Sequence, residues 1–381
     1  MNWWSAFTIG LLSGGIMSLL AARLFQDEEE NDDDDLTSAS GKNGPVMVKA
    51  FQHKVSQGPE IVAIGGGTGL STLLSGLKPY TRNITAIVTV TDEGGSSGRL
   101  RGEWGVLPPG DIRNCMVALA ENDSSLNRIL NFRFDRGDLK GHSLGNLILL
   151  AVTEMTGDFR KAVEELNNLL AIRGKVIPVT TESVTLCGKT GKGEQLRGEL
   201  DISRLGNMME SVWLEPGDAT AVPDAILAIE NADIVVLGPG SLFTSIIPNL
   251  LFHDVSEALR RTRAPKIYVA NLMTQPGETG GMNIMDHVRW IIRTSGTTPD
   301  YVIASDGIIP GDLLDLYLAS GAQPLLLGDE QKNSLMVLGS KVIVSDFLNV
   351  SGGNVRHNSL KMAETLIRIA RDEKDASKWK N

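Results

Sequence analysis

The sequence predicts an α/β fold built on a doubly wound, mainly parallel sheet. Short apolar runs, such as Ile61–Gly65 and Ile84–Val90, alternate with stretches of helical spacing, such as Asp158–Leu170. Strands that are apolar throughout are typical of parallel sheets covered by helices on both faces. Residues 176–213 instead alternate polar and apolar side chains, which predicts an antiparallel hairpin inserted in the α/β body.

Three segments are predicted along the 381 residues. Residues 1–25 include the uncharged stretch Trp3–Ala22, which has roughly the length of a membrane span, and we predict an N-terminal anchor there. A buried helix or a cleaved signal sequence is the alternative, although no basic region precedes the stretch. Residues 26–58 are acidic and without periodicity, which predicts a disordered tether. Residues 59–375 are predicted to form the α/β domain, with the hairpin inserted at about 176–213.

Composition excludes some classes of function. The net charge is −10, but eight acidic residues lie in Asp27–Asp35, so the remainder is nearly neutral. A nearly neutral body gives no support for nucleic-acid binding. The two cysteines, Cys115 and Cys187, have no zinc-binding spacing and fit a reducing compartment. We expect both to be packed as small hydrophobic side chains.

A glycine-rich loop follows the first strand of the α/β domain. Leucines then recur at 70, 73, 74 and 77, the spacing of the buried face of a helix. The loop therefore lies at a helix N-terminus, where free N–H groups and the helix dipole favour an anion. A glycine-rich turn without a ligand is the alternative, and the strict dinucleotide fingerprint would need glycine where Leu70 stands. The loop residues are Gly65, Gly66, Gly67, Thr68 and Gly69.

The second strand ends in a further polar, glycine-rich loop, Thr91–Leu100. Asp92 lies where the acid that binds a ribose is found in dinucleotide-binding folds. Glycines and serines after it predict a second anion-binding nest beside Arg99. Asp111, after two prolines, is a candidate ligand residue or a plain helix N-cap. The residues of the predicted nest are Gly94, Gly95, Ser96, Ser97 and Gly98.

Three further motifs are candidates for a catalytic or ligand-binding role. His142 in "GHSLGN" is predicted to belong to a hydrogen-bonding or ligand-facing loop rather than a hydrolytic pair, because no nucleophile elbow is readable. The turn "GPGS", with Gly238, Gly240 and Ser241, repeats the strand–glycine–helix design, and predicts a cleft at the carboxyl ends of the strands. The segment Gly188–Glu194 is not a P-loop, since Ser183 replaces the required glycine and a strand-like stretch follows.

Six motifs together resemble the bacterial gluconeogenesis factor family, whose members are UDP-sugar-binding regulators of cell morphogenesis. The wider superfamily includes 2-phospho-L-lactate transferase, and the resemblance covers about Pro59–Arg371. It implies a Rossmann-like α/β fold with a nucleotide sugar in the predicted cleft. The motifs are "GGGTGLSTLLSGLK", "ITAIVTVTDEGGSSGRLR", "PPGDIRNC", "GHSLGN", "GPGSLFTSIIPNLL" and "NLMTQPGET".

The resemblance also implies which residues line the ligand site. Besides the two glycine-rich loops, "GPGS" and the motif that holds Asp111 and Asn114, it implies Tyr317 and Arg356. An aromatic ring can stack on uracil and a guanidinium can bind a pyrophosphate with two hydrogen bonds; a core tyrosine and a solvated arginine are the alternatives. Transferases of the superfamily carry two adjacent aspartates where this chain has Asp92 and Glu93, so a metal-binding pair would be altered.

Three candidate functions follow, in order of preference, and the resemblance implies the first two. The first is a cytoplasmic regulator, held at the membrane by the predicted anchor, that binds UDP-N-acetylglucosamine or UDP-glucose and acts on cell-wall synthesis or signalling proteins. The second is a transferase of the 2-phospho-L-lactate type, in which Asp92 or Asp111 holds Mg²⁺. The third is an NAD-dependent oxidoreductase, which only the first glycine loop and one acid support. The metal, the sugar and any homo-oligomer stay open.

Overall fold

A seven-stranded parallel sheet forms the centre of the fold, and two small antiparallel sheets accompany it. The computed structural model describes residues 57–121 and 124–378. In chain order the strands are β1 (Ile61–Gly65), β2 (Ile84–Val88), β3 (Lys175–Pro178), β4 (Thr185–Thr190), β5 (Gln195–Arg197), β6 (Met209–Glu215), β7 (Ile234–Leu237), β8 (Lys266–Val269), β9 (Tyr301–Ser305), β10 (Lys341–Ser345), β11 (Leu348–Ser351) and β12 (Asn354–His357).

Helices cover both faces of the main sheet, as continuous apolar strands predict. They are α1 (Gly67–Leu77), α2 (Gly95–Trp104), α3 (Gly110–Leu119), α4 (Ser124–Asn131), α5 (Leu144–Thr156), α6 (Phe159–Leu169), α7 (Glu199–Leu205), α8 (Pro223–Asn231), α9 (Ile247–Leu250), α10 (His253–Arg261), α11 (Ile284–Ser295), α12 (Gly311–Ala319), α13 (Asp329–Val337) and α14 (Ser359–Lys378). A π-helical turn, Leu242–Ile246, leads directly into α9.

The order of the strands places a switch point at the centre of the sheet. The order is β10-β9-β8-β7-β1-β2-β3, so the chain builds outward from β1 in one direction and then from β7 in the other. In open α/β sheets, ligands bind outside the carboxyl ends of the strands at such a point. The predicted doubly wound, Rossmann-like fold is confirmed, and both glycine turns lie at the switch point.

The inserted antiparallel element begins later in the chain than predicted. Val176 lies in β3, paired in parallel with Ala86 of the main sheet, so the insert does not start there. The antiparallel sheet has the order β5-β4-β6 and extends to Glu215, beyond the predicted end at Trp213. Strand β3 has only four residues, which are too few to separate its apolar run from the alternating stretch that follows.

The core confirms the periodicity of the first helix. Leu70, Leu73, Leu74 and Leu77 are each no more than 1% exposed, and burying a leucine side chain stabilises a fold by roughly 1.5–3 kcal/mol. This buried face holds α1 against α3 and α14 and fixes the position of the glycine loop in front of it. Cys115 and Cys187 are both buried and unpaired, as predicted.

The first two predicted segments lie almost wholly outside the described residues. This applies to the anchor, residues 1–25, and to residues 26–56 of the tether. Within 57–121 and 124–378, no helix is both long and apolar enough to cross a membrane.

Candidate functional site

A cavity of about 380 Å³ opens at the carboxyl ends of β1 and β7. It brings together eight of the sequence-predicted residues, from four separate parts of the chain. These are Gly66, Gly67, Thr68, Gly69, Gly240, Ser241, Tyr317 and Arg356. Gly65 and Gly238 lie behind the wall at the ends of β1 and β7, where a Cβ on Gly65 would come within 3.8 Å of Gly238 Cα.

The first glycine loop is shaped by contact with two neighbours. A Cβ on Gly66 would lie 2.5 Å from Asp111 Oδ2, and a Cβ on Gly69 would lie 2.5 Å from the carbonyl oxygen of Pro239. Gly67 has φ of +65°, a conformation that side chains disfavour. The loop is therefore glycine-rich because other chain segments approach its backbone closely.

The start of α1 faces the cavity, and its N-cap, Gly66, has no side chain that could accept from the helix. The Asp111 carboxyl accepts from Gly67 N–H, while no side chain of the described residues accepts from the N–H groups of Thr68 and Gly69. Thr68 is exposed, and its carbonyl accepts hydrogen bonds from Ser71 and Thr72 further along the helix. First-turn N–H groups that no cap satisfies, together with the helix dipole, form an anion-binding site.

The second glycine turn is similar in sequence to the first, but side chains of the protein accept hydrogen bonds from its backbone N–H groups. Ser241 caps the helical segment by accepting from Thr244 N at 3.1 Å, and its hydroxyl also contacts the carboxylate of Glu278. Glu278 Oε1 accepts from Phe243 N at 2.8 Å. Asn271 accepts from Gly240 N at 3.1 Å and donates to Gly240 O at 2.8 Å. The donors of this turn are therefore satisfied from within the protein.

Glu278 is a buried acid that the sequence analysis did not single out. Glu278 is 3% exposed, and its removal from water raises the pKa of its carboxyl group. Hydrogen bonds from Ser241, Phe243 and Thr244 offset part of this rise. The quoted motif "NLMTQPGET" ends with Glu278 and its neighbour, and Asn271 opens it two residues after the end of β8. Their position at the carboxyl edge next to β7 is the signal that could have identified them.

Asp111 reaches the first glycine loop instead of capping its own helix. The N-cap of α3 is Pro109, so the plain N-cap alternative is wrong. Removal of the Asp111 carboxyl from water, followed by the charge of Asp92, raises its pKa to about 7, and a hydrogen bond from Gly67 N–H opposes the rise. A carboxyl group with this pKa changes charge near neutral pH, directly beneath the open start of α1.

The two acids after β2 point to different partners. Asp92 Oδ1 accepts from Gly94 N at 2.8 Å, whereas Glu93 Oε2 accepts from Glu199 N, 3.0 Å away at the start of α7. Glu93 also lies 3.9 Å from Arg101. The altered second position is thus a structural cap, and the adjacent acids do not form a pair for one metal.

The serines of the predicted nest are turned inward. Ser97 is 4% exposed and accepts from Gly110 N at 3.1 Å. Ser96 is 5% exposed, and its hydroxyl lies 3.0 Å from His142 Nδ1 and accepts from Asn146 Nδ2 at 3.0 Å. Burial and the charge of Arg99 lower the pKa of His142, which keeps the ring neutral at physiological pH. These hydroxyl groups position the loop rather than face the cavity.

The remaining predicted residues of this region surround the inward serines. Gly95 is exposed with φ of +48°, and a Cβ on Gly98 would collide with the carbonyl of Glu93. Asn114 lies on α3, one turn beyond Asp111. None of the residues Asp92, Gly95–Gly98, Asp111 and Asn114 is among those that line the 380 Å³ cavity.

Tyr317 and Arg356 form the opposite wall of the cavity. The hydroxyl of Tyr317 accepts from Val355 N at 3.1 Å, which joins α12 to β12. Arg356 is exposed, and its guanidinium makes no ion pair or hydrogen bond with any residue in the described part of the chain. It is a cation at the mouth of a cavity whose other wall is an anion-binding helix start.

His357 was missed by the sequence analysis although it adjoins Arg356. Its Nε2 lies 3.1 Å from the carbonyl oxygen of Ala270, which can only accept, so this nitrogen carries the hydrogen. Burial lowers the pKa of His357 to about 4, and the ring is neutral. Nδ1 is therefore a hydrogen-bond acceptor in a ring that lines the cavity.

The acidic side chains near the cavity are the candidate ligands for Mg²⁺. Within 57–121 and 124–378, no group of three or more His, Cys, Asp or Glu side chains is arranged to hold a metal ion. Asp92 raises the pKa of Asp111, and it contributes, after burial, to raising the pKa of Glu199 to about 7. Mg²⁺ commonly binds one or two carboxylates plus substrate phosphates. The effect of Asp92 on the pKa of Asp111 shows that these two carboxyl groups are neighbours, and Mg²⁺ stays a prediction at this pair.

Comparison with known proteins points to one family. The family model "2-phospho-L-lactate transferase CofD" matches residues 61–348. A gluconeogenesis factor from Bacillus subtilis is 41% identical over 320 residues, which cover 84% of this chain and 100% of that protein. The gluconeogenesis factor of Halalkalibacterium halodurans is 41% identical over 310 residues, which cover 81% and 95%.

A solved structure supports the same relationship. The crystal structure of a UPF0052 family member from Bacillus halodurans has a TM-score of 0.78 and 40% identity with this chain. The match covers 82% of this chain and 99% of that structure. The predicted anchor and tether, residues 1–58, lie outside the range that the family model matches.

Proposed function

The chain belongs to the family of 2-phospho-L-lactate transferase CofD and, within it, to the gluconeogenesis factors, and on this basis we propose that it binds a UDP-sugar. The proposed role is regulatory: the bound UDP-sugar reports carbon supply, and the protein acts on cell-wall synthesis and cell shape during gluconeogenic growth. Cell-wall synthesis or signalling proteins are its proposed partners.

One observation carries the binding proposal. The cavity of about 380 Å³ joins a helix start whose N-cap is a glycine, an aromatic ring and a guanidinium without an ion-pair partner in the described residues. The volume lies within the range of small-molecule sites, which is roughly 300–1,000 Å³. In the proposed pose the pyrophosphate lies between the α1 N-terminus and Arg356, and the uracil stacks on Tyr317.

Isothermal titration with four nucleotides tests the ligand class. We expect UDP-N-acetylglucosamine and UDP-glucose to bind, and GDP and NAD to bind at least tenfold more weakly. Each titration is run with and without Mg²⁺, because Asp92 and Asp111 predict tighter binding with the ion. Equal affinity for all four ligands, or a preference for NAD, would exclude the proposal.

Replacing Arg356 by alanine tests the pose directly. Loss of a charge-assisted hydrogen bond to phosphate predicts affinity at least tenfold weaker. The thermal melt should be unchanged, because the exposed guanidinium makes no hydrogen bond or ion pair in the described residues and alanine keeps the backbone pairing of β12. Arg136→Ala is the matched control, since Arg136 is also exposed but does not line the cavity. An affinity unchanged by Arg356→Ala would show Arg356 to be a surface charge.

A transferase of the 2-phospho-L-lactate type is the second candidate. Asp92 and Asp111 favour it, because together they can hold a Mg²⁺ that stabilises the charge of a phosphate leaving group. The reaction would transfer a phospholactyl group from a lactyl-diphosphonucleoside to a deazaflavin alcohol: the alcohol oxygen forms the new P–O bond, the P–O–P bond of the donor breaks, and a nucleoside monophosphate leaves. Product formation with these two substrates would decide for the enzyme; tight UDP-sugar binding without turnover would decide for the regulator.

The proposed ligand also determines where the site would act. Nucleotide sugars and central-carbon intermediates are made in the cytoplasm, so we place the site on that side of the membrane. The sequence-predicted anchor, residues 1–25, would then hold the protein at the inner face.

A further inference from the structure

The two edges of the main sheet differ in how they are covered. At one edge, β3 carries Pro178, and Val176, Ile177 and Pro178 are all buried. At the other edge, β10 pairs only with β9 within 57–121 and 124–378, and none of its residues is fully buried. An exposed edge strand is a template for another strand, and natural proteins usually protect it with proline, charge or a cover.

The register of β10 identifies the backbone groups that face outward. Lys341 N donates to Asp300 O at 2.8 Å, and Ser345 O accepts from Asp306 N at 3.3 Å, both on the side of β9. Because alternate residues of a strand direct their N–H and C=O groups to opposite sides, Val342 and Val344 direct theirs to the open side. Val344 is 38% exposed, although it is a β-branched strand residue.

A groove of about 420 Å³ runs beside this open edge. One wall is the end of β10 with Phe347, and the other is a stripe of α14. The stripe consists of Lys361, Glu364, Thr365 and Arg368, which share one helix face because they are three or four residues apart.

The charges of the groove are unbalanced. Glu364 accepts a hydrogen bond from Tyr80 at 3.1 Å, and the ammonium group of Lys361 lies 5.8 Å from the ring centre of Phe347. Lys361 and Arg368 have no carboxylate partner anywhere in the described ranges. Two unpaired cations thus stand two helical turns apart, roughly 10 Å along the helix, beside the open backbone of β10.

We propose that this groove binds an extended, acidic peptide segment of a partner protein, which adds to the main sheet beside β10. The backbone of Val342 and Val344 would pair with the peptide, and Lys361 and Arg368 would bind its carboxylates. A second copy of this chain is a poorer occupant, because symmetric pairing of two β10 strands would bring two sets of these cations into one interface. The groove is separate from the nucleotide cavity and has no lining residue in common with it.

A labelled peptide measures the charge requirement. The probe is an eight-residue peptide of alternating valine and glutamate, titrated with the full chain by fluorescence anisotropy at low salt. We expect Lys361→Glu/Arg368→Glu to weaken binding at least tenfold and to favour the lysine version of the peptide. Lys192→Glu/Arg136→Glu, a reversal of one lysine and one arginine that do not line the groove, should change binding less than twofold. Equal effects of both pairs, or no binding to the wild type, would overturn the proposal.

A proline substitution distinguishes backbone pairing of the peptide with β10 from binding by charge attraction alone. Val344→Pro removes an outward N–H and keeps the bonds to β9, so we expect a folded protein that binds the peptide at least tenfold more weakly. A peptide N-methylated at alternate amides supplies the same test without a variant: methylation in one register should abolish binding and in the other leave it unchanged. Binding insensitive to both changes would overturn strand addition.

Sedimentation of the full chain tests the competing occupant. We expect the Val344→Pro variant and the wild type to have the same oligomeric state. A wild-type dimer that Val344→Pro converts to monomer would assign the groove to a second copy and overturn the proposal. Arg356→Ala should bind the peptide like the wild type, which keeps this result independent of nucleotide binding.

Discussion

Two glycine-rich turns follow neighbouring strands of one sheet. They differ in how far side chains of the protein accept hydrogen bonds from the backbone N–H groups of the helical segment that follows. At the turn after β7, Glu278 accepts from Phe243 N, and Asn271 binds both polar backbone groups of Gly240. At the turn after β1, the N-cap Gly66 has no side chain, only Gly67 N–H donates to a side chain (Asp111) among the described residues, and the rest of the helix start opens into the cavity. A glycine-rich strand-to-helix turn therefore predicts an anion site only when the protein does not satisfy its donors internally.

The acids at the two turns show the same difference in electrostatic terms. Glu278 is buried and receives three donors, so its charge is satisfied within the scaffold. Asp111 receives one backbone donor, from Gly67, and lies near a second acid, Asp92. The first turn is thus left able to respond to a phosphate, a metal ion or a proton, while the second turn is structural.

The largest expected effect is a loss of stability at the turn after β7. Glu278→Ala leaves the N–H of Phe243 and the hydroxyl of Ser241 without their acceptor in a buried place, so we expect a loss of about 3 kcal/mol in the free energy of unfolding. Urea unfolding measures this loss. Glu278→Gln retains an acceptor and should lose less than half as much. A normal urea midpoint with lost nucleotide binding would instead assign Glu278 to the ligand site.

A smaller effect is expected at Asp111, and it depends on pH. Its pKa is raised to about 7 in the fold, so the folded state holds a proton that the unfolded state has released above about pH 4. The contribution of this group to stability is present below pH 4 and is lost as pH rises towards 7. Asp111→Asn should therefore stabilise the protein by roughly 2 kcal/mol at pH 8 and little at pH 4.

Urea unfolding of the Asp111→Asn variant and the wild type at pH 4 and pH 8 checks whether the substitution stabilises the protein at the higher pH. Asp135→Asn, at an exposed acid far along the chain, is the control and should show no such difference. The same variant should also reduce the loss of UDP-sugar affinity between pH 6 and pH 8, because ionised Asp111 repels a phosphate. Equal pH dependence in the variant and the wild type would show that Asp111 does not titrate near 7.

The smallest effect concerns the open turn itself. Gly67→Val places a side chain where the backbone faces the cavity, so we expect at least tenfold weaker UDP-sugar binding, about 1.4 kcal/mol. Part of any effect could come from strain at φ of +65°, which Gly105→Val reproduces, since Gly105 has φ of +67° and no heavy atom within 4 Å of a Cβ. If both variants bind equally, the open turn does not contact the ligand.

The sequence by itself determined the fold class and the position of the candidate cavity at the first glycine loop. Continuous apolar runs identify parallel strands, and leucines from Leu70 to Leu77 identify the buried face of α1, because both signals depend only on the local period of the chain. The resemblance supplied Tyr317 and Arg356, whose distance in sequence from the glycine loop no local pattern could bridge. The structure places them on the same cavity as Gly66–Gly69.

Only the tertiary structure decided which of the predicted donors and hydroxyl groups are free. Ser96 pairs with His142, 46 residues away, and Phe243 N with Glu278, 35 residues away. Likewise, Asp111 reaches the glycine loop rather than its own helix start. A glycine, serine or acid has the same local sequence signal whether its partner is a ligand or another part of the chain. The choice is made by long-range packing, since a buried donor must find an acceptor and the fold determines which one lies within reach.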